Sequence, residues 1–308
     1  MMFIYTYACH EDEANLCQLE LQTLFGQKAG GGGGIISSKY ELPIDRSPFV
    51  KRRISVLLAA SSFEELALQL PAIELDRKTF KVLFTPGDEN FTYEERRQLE
   101  RAAGAVIRGK ADMRSAERLF GLTKLDGCWY FGPCEENSAV WLKHQSKPQN
   151  YSTALPTRAA RAIVNAAAGP APEQLRLIDP CCGMGTVLIE AMSMGIDIEG
   201  VDLNPLAVRG ARLNLAHFGY ADRVRLGDMR LIEGQYDAAI VDMPYNLCSV
   251  LPEEEQLVML SSVRKWAKRA VIVTTVPIDL QLEKASWHIM KSATLSKASF
   301  TRYISVVE

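Results

Sequence analysis

Four aspartates recur at corresponding places in the second half of the chain. Leu175–Asp179 reads as a strand that ends in Asp179, and Asp197–Val201 as one that runs into Asp202. Val224–Leu226 runs into Asp228, and Ala238–Asp242 ends in Asp242. Helical patterns are interleaved with them: Thr186–Met194 and Pro205–Phe218, the latter with Asn204 as N-cap and Pro205 at its first position, separate the first three, and Glu253–Lys268 follows the fourth. Strict alternation of strand and helix specifies a parallel, doubly wound sheet. Parallel strands end on the same edge, so four carboxylates are expected to converge on one crevice. A single strand-end acid is ordinarily a loop carboxylate or a helix cap; four at matching ends define a site.

The same half opens with a linker at Lys147–Tyr151 and a helix at Thr157–Ala168, and continues through a strand at Ala270–Thr275. His288–Ala293 and Tyr303–Val307 follow one another with no helix between them, which predicts a closing antiparallel hairpin. The first half lacks this rhythm. Phe3–Ala8 reads as a strand and is followed by a helix with Leu16, Leu19, Leu21 and Leu24 on its apolar face. Gly30–Gly34 then reads as a flexible loop. Strands are expected at Arg53–Ala59, Lys78–Thr85, Arg118–Leu122 and Cys128–Gly132. Helices are expected at Ser62–Leu70 and Tyr93–Arg108, the second opened by a Thr92/Glu95 capping box. That mixed order is an α+β module. Three stretches result: 1–49, 50–146 and 147–308.

Charge narrows the partners. Thirty-five Lys and Arg face 37 Asp and Glu, a net −2 over 308 residues. A polyanion-binding surface must therefore be local. Residues 101–118 are the candidate, since Arg101, Arg108, Lys110, Arg114 and Arg118 outnumber Asp112 and Glu117 there. The seven cysteines form no C-x-x-C pair and no Cys/His ligand set, so no metal site is expected and the thiols suit a reducing cytoplasm. No run is apolar and long enough to predict a membrane span, and the N-terminus lacks the basic region of a secretory signal. Oligomeric state is left open between a monomer and a weak dimer.

Asp179-Pro180-Cys181-Cys182-Gly183-Met184-Gly185-Thr186 sits at a strand-to-helix junction where glycines let a ligand approach the backbone. With Gly200-Val201-Asp202-Leu203-Asn204-Pro205, Gly227-Asp228-Met229 and Asp242-Met243-Pro244-Tyr245, it resembles the motif set of class I S-adenosylmethionine-dependent methyltransferases. The N/D-P-P-Y-type motif and the leading helix Leu155-Pro156-Thr157-Arg158-Ala159-Ala160-Arg161 are similar to the THUMP-linked tRNA guanosine-N2 methyltransferases. Phe80–Phe84, Ala111-Asp112-Met113 and Asp126–Gly132 resemble a degenerate THUMP core. The resemblance implies a Rossmann-like methyltransferase sheet over 147–308. It also implies a THUMP-like RNA-binding domain over 50–146, a ferredoxin-like module over 1–49, and an RNA partner, first of all tRNA.

The resemblance assigns roles as well. Asp179, Cys181, Gly183, Gly185 and Thr186 would face the methionine part of S-adenosylmethionine. Asp202 and Leu203 would serve the ribose and adenine, and Asp228 and Met229 the adenine. An aromatic NH2 is a poor nucleophile because its lone pair is delocalised. Asp242 and the Met243 carbonyl would accept its two N–H bonds and turn the lone pair toward the methyl group, Pro244 fixing the turn and Tyr245 stacking on the base. Met243 stands where the family pattern has proline. Alternatives of the same chemistry are a DNA or protein-glutamine amino-methyltransferase; an alternative of another class is a catalytically weak RNA-binding protein of this fold.

Overall fold

Thr92 and Glu95 exchange reciprocal bonds with each other's backbone, and the helix they open begins at Tyr93. Local signals of this kind place most elements of the computed structural model, which describes residues 1–27, 33–151, 154–244, 252–297 and 300–308. The chain forms two units: Met1–Cys9, Ala29–Ile44 and Phe49–Ser138 in the first, His10–Lys28, Asp45–Pro48 and Ala139–Glu308 in the second. This differs from the expected stretches. Residues 1–49 are not a module of their own, because β1 (Phe3–Ala8) belongs to the first unit and α1 (Ala14–Phe25) to the second.

In the first unit β1 pairs antiparallel with both β2 (Gly33–Ser38) and β3 (Val50–Ser55). Gly33 and Gly34, expected in a loop, are strand residues; the rest of the glycine run lies outside the described residues. The strand expected over Arg53–Ala59 is two, β3 and β4 (Leu58–Ala60), because the chain changes partners between them. Val56 donates to the Met2 carbonyl and Leu57 to that of Phe131. Then come α2 (Phe63–Gln69), capped by Ser62, β5 (Phe80–Phe84), α3 (Tyr93–Val106), β6 (Arg118–Leu125) and β7 (Cys128–Glu136). The sheet order is β2-β1-β3-β7-β6-β5, with β4 beside β7. Phe80, Phe120, Phe131 and Trp129 fill the core between it and its helices.

In the second unit α4 (Trp141–His144) and α5 (Thr157–Ala168) precede β8 (Arg176–Asp179), α6 (Thr186–Ser193) and β9 (Asp197–Asp202). The chain goes on through α7 (Pro205–His217), β10 (Val224–Leu226), β11 (Tyr236–Asp242), α8 (Glu253–Trp266) and β12 (Ala267–Thr274). A helix not foreseen, α9 (Asp279–Lys284), precedes the closing hairpin of β13 (Ile289–Lys297) and β14 (Phe300–Val307). The order β10-β9-β8-β11-β12-β14-β13 is parallel through β12 and antiparallel beyond it. Strand order reverses between β8 and β11, and crevices for ligands open at the carboxyl ends of such a switch point.

Candidate active site

Asp179 ends β8 and Asp242 ends β11, so the reversal of strand order sets these two acids side by side. Both border a cleft of about 320 Å3 that also takes in Asp202 and Asp228. The four strand-end acids thus meet as expected. Asp179 is 3% exposed, and its Oδ1 accepts from the Cys181 N–H at 3.2 Å. Burial pushes its carboxyl well above the ordinary carboxylate range, and the charges of Asp242 and Asp202 push it further.

Asp202 works on the backbone. Its Oδ2 accepts from the Gly183 N–H and its Oδ1 from the Asn204 N–H, each at 2.8 Å. The first bond ties the end of β9 to the β8–α6 turn. That turn needs left-handed backbone at Gly183 (φ 52°) and Gly185 (φ 77°). At Gly185 a side chain would also meet the Ala211 Cβ at 3.3 Å. Gly185 caps α6 with no side-chain bond to the helix, and Thr186 and Val187, its first residues, line the cleft. The partly positive end of a helix is therefore presented there. Gly183 lines the cleft; Gly185 shapes the turn from behind it.

Asp228 is committed more tightly than the sequence implies. It caps a short helical turn through the Arg230 N–H at 2.9 Å, and the Arg230 guanidinium holds both of its oxygens at 2.5–3.0 Å. These bonds keep the Asp228 carboxyl below its usual range. Met229 is buried, with its sulfur 3.7 Å from Cys181 Sγ, while Leu203 is 67% exposed at the rim. Burial pushes both the Cys181 and Cys182 thiols up, so neither is a ready nucleophile.

Asp242 supplies the reactive feature. Its Oδ1 is buried and has no hydrogen-bond partner among the described residues. Burial pushes its carboxyl up to about 7, and the charge of Arg302 opposes that push. Met243 and Pro244 continue along the cleft wall; Tyr245 lies outside the described residues. Sequence reading missed Arg230 and Arg302, and also Tyr151, Glu255 and Met259 on the cleft wall. Arg230 was within reach as a basic residue two places after a capping acid. Among the described residues no cluster of His, Cys, Asp or Glu could hold a metal ion, and no helix is long and apolar enough to cross a membrane.

In the first unit Arg101, Arg108, Lys110 and Arg114 are exposed. Arg118 is not available in the same way, since it pairs with Asp76 and donates to the Glu74 carbonyl.

Residues 144–272 match the family model described as RMKL-like, methyltransferase domain. A tRNA (guanine(10)-N2)-dimethyltransferase of Methanothermobacter thermautotrophicus is 37% identical over 175 residues, 53% of this chain and 51% of that one. A "Probable tRNA (guanine(10)-N2)-dimethyltransferase" of Methanothermococcus thermolithotrophicus is 30% identical over 42% of this chain and 86% of its own length. The chain belongs to this methyltransferase family. It spans 51% and 34% of the length of two curated relatives, those of Methanothermobacter and Pyrococcus abyssi. The structure of TrmN from Thermus thermophilus superposes with a TM-score of 0.51 over 100% of this chain and 99% of that one, at 16% identity. That likeness is one of fold, the class I methyltransferase sheet.

Proposed function

We propose that this chain methylates the exocyclic N2 of a guanosine in tRNA, with S-adenosylmethionine as methyl donor. The observation that carries the reading is the buried, unpartnered Asp242 Oδ1 at the switch-point cleft. An orphaned carboxylate oxygen costs free energy unless a ligand supplies a donor. The names of the curated relatives support guanine N2 as the acceptor atom.

The cleft suits the donor. S-adenosylmethionine, when bound, supplies an electrophilic methyl group on a positively charged sulfur. Burial raises both Asp179 and Asp242, and the Asp242 charge raises Asp179 further, so the pair favours a cation beside it. The uncapped start of α6 suits a carboxylate, and Asp202 keeps lone pairs for ribose hydroxyls after its two backbone bonds. Met229 and Leu203 offer apolar faces for adenine.

Asp242 Oδ1 and the Met243 carbonyl accept the two N–H bonds of the amine and turn its lone pair toward the methyl group. A carboxyl titrating at about 7 is matched to take the proton released as the N–C bond forms. A base inside a helix cannot reach this cleft, so the target nucleotide is extruded. Arg101, Arg108, Lys110 and Arg114 of the first, THUMP-like unit serve as phosphate contacts, and the free thiols of the described residues suit the cytoplasm.

Calorimetry is expected to show micromolar binding of S-adenosylmethionine and its demethylated product, and the wild type to transfer tritiated methyl to tRNA. Asp242→Ala is expected to lower transfer at least about a hundredfold, a loss far larger than any change in cofactor affinity. Absence of binding by either ligand, or unreduced transfer by the variant, overturns the reading.

A further inference from the structure

Arg302 is 7% exposed, unusually deep for an arginine, and no motif pointed to it. The register of the sheet shows where it faces. Asp242 pairs with Val273, and Val273 with Ile304, so these three form one row across β11, β12 and β14. Paired side chains in a row point to the same face, and so do residues two apart on one strand. Arg302 therefore shares the Asp242 face. β14 runs antiparallel to β12, so Arg302 lies two residues nearer the edge where β11 ends and the cleft opens. Its guanidinium sits over the Phe300 ring, 4.7 Å from the centroid, a stacking that limits where the charge can go.

Other charged groups reach the cleft from other elements. Asp179 ends β8, Asp202 ends β9, and Glu255 comes from α8. Asp228 and Arg230 neutralise each other on the adenine side, and the Cys181 thiol lies beside Asp179. Burial favours a neutral Asp242, and the Arg302 charge opposes it. A neutral carboxyl presents an O–H donor where the amine needs an acceptor.

We propose that Arg302 is a positioning residue for Asp242: from the antiparallel strand β14 it holds the carboxylate in its ionised, accepting form. This rests on the function proposed above. It assigns the closing hairpin a part in the chemistry.

The test is the pH profile of single-turnover methyl transfer at saturating tRNA and cofactor. In the wild type the acid limb is expected at or below about 7, because burial raises Asp242 to about 7 and a bound sulfonium favours its ionised form. In Arg302→Met the limb is expected to move up by about one unit, with the high-pH plateau largely kept. That is roughly a tenfold loss below the limb and little loss at high pH. Arg302→Lys keeps the charge and is expected to return the limb toward the wild type. A uniform loss with the limb unmoved overturns the proposal. Should the Met variant not fold, Arg302→Gln carries the same comparison. The Asp242 carboxyl can also be titrated by carbon-13 NMR, assigned by its absence in Asp242→Asn. An inactive wild type would sink the proposed function. An Asp242 titration unmoved by loss of the guanidinium would sink this inference whether or not the wild type is active.

Discussion

Residue 243 shows how a departure from a family pattern can be paid for locally. Methionine stands there in place of proline. Its N–H donates to the Val273 carbonyl at 2.9 Å, extending the β11–β12 ladder one residue beyond Asp242. Proline has no N–H to make that bond. The Met243 side chain is 5% exposed and belongs to the core cluster of Met259, Leu260 and Trp266. The residue thus fixes the height of the Asp242 carboxylate from both backbone and core; in the function proposed above, its carbonyl accepts from the substrate amine. Met243→Ala is expected to cost about 2–4 kcal/mol of stability, because a cavity opens in a packed core. Methyl transfer is expected to stay within about tenfold, since alanine supplies the same carbonyl; that bound applies the modest displacement a cavity allows. Thermal melting and single-turnover rates check both. The sequence suggested a role for the carbonyl but gave no sign of the ladder bond, because the β11–β12 register is set by packing between distant segments.

At the scale of elements, what could be read from the chain was what neighbouring residues decide. The Thr92/Glu95 box, the Asn204 cap and the strand-end acids are all local, and all stand where expected. Arg302 was not legible, because only the β12–β14 register carries β14 back to the Asp242 row. The β3–β4 break was hidden for the same reason. Convergence of three strands has an energetic consequence. Burial, with Asp242 and Asp202, raises Asp179, and burial raises Asp242 to about 7. A raised carboxyl holds its proton in the folded cleft, and a cation bound beside it favours the ionised form. Binding of S-adenosylmethionine is thus expected to release protons and to tighten as pH rises from about 6 to 7.5. The demethylated product lacks the sulfonium charge and is expected to release fewer. Calorimetry in two buffers of different ionisation enthalpy reads the proton count; a binding heat independent of buffer for both ligands would contradict the account.

At the scale of the whole molecule, the change of pattern at the linker of residues 147–151 is not where the second unit begins. Helix α1 and residues 45–48 belong to that unit and complete its interior. Glu20 of α1 is fully buried and accepts from Ser47 Oγ and from Asn165 Nδ2 of α5, each at 2.6 Å. Arg46 donates to Asn165 Oδ1 at 2.6 Å and to the Gly169 carbonyl at 2.8 Å. Arg161 bonds the Asp45 carbonyl and pairs with Glu190 at 2.7 Å, whose other oxygen meets His144 at 2.6 Å. Sequence order conceals this, because the partners of α5 lie more than a hundred residues upstream. A fragment beginning at residue 147 keeps every motif of the cleft and the Arg161–Glu190 pair, yet strips Arg161 of the Asp45 and Arg46 carbonyls, Asn165 of Glu20 and Arg46, and Glu190 of His144. Buried polar groups left without partners cost about 1–3 kcal/mol each, and several together approach the whole stability of a domain. The fragment 147–308 is therefore expected to lack a cooperative thermal transition and to bind a hydrophobic dye, whereas the full chain melts cooperatively. A fragment that melted cooperatively within about 5 °C of the full chain would show that α1 and residues 45–48 contribute little, since a shift that small corresponds to only about 1–2 kcal/mol in a domain of this size.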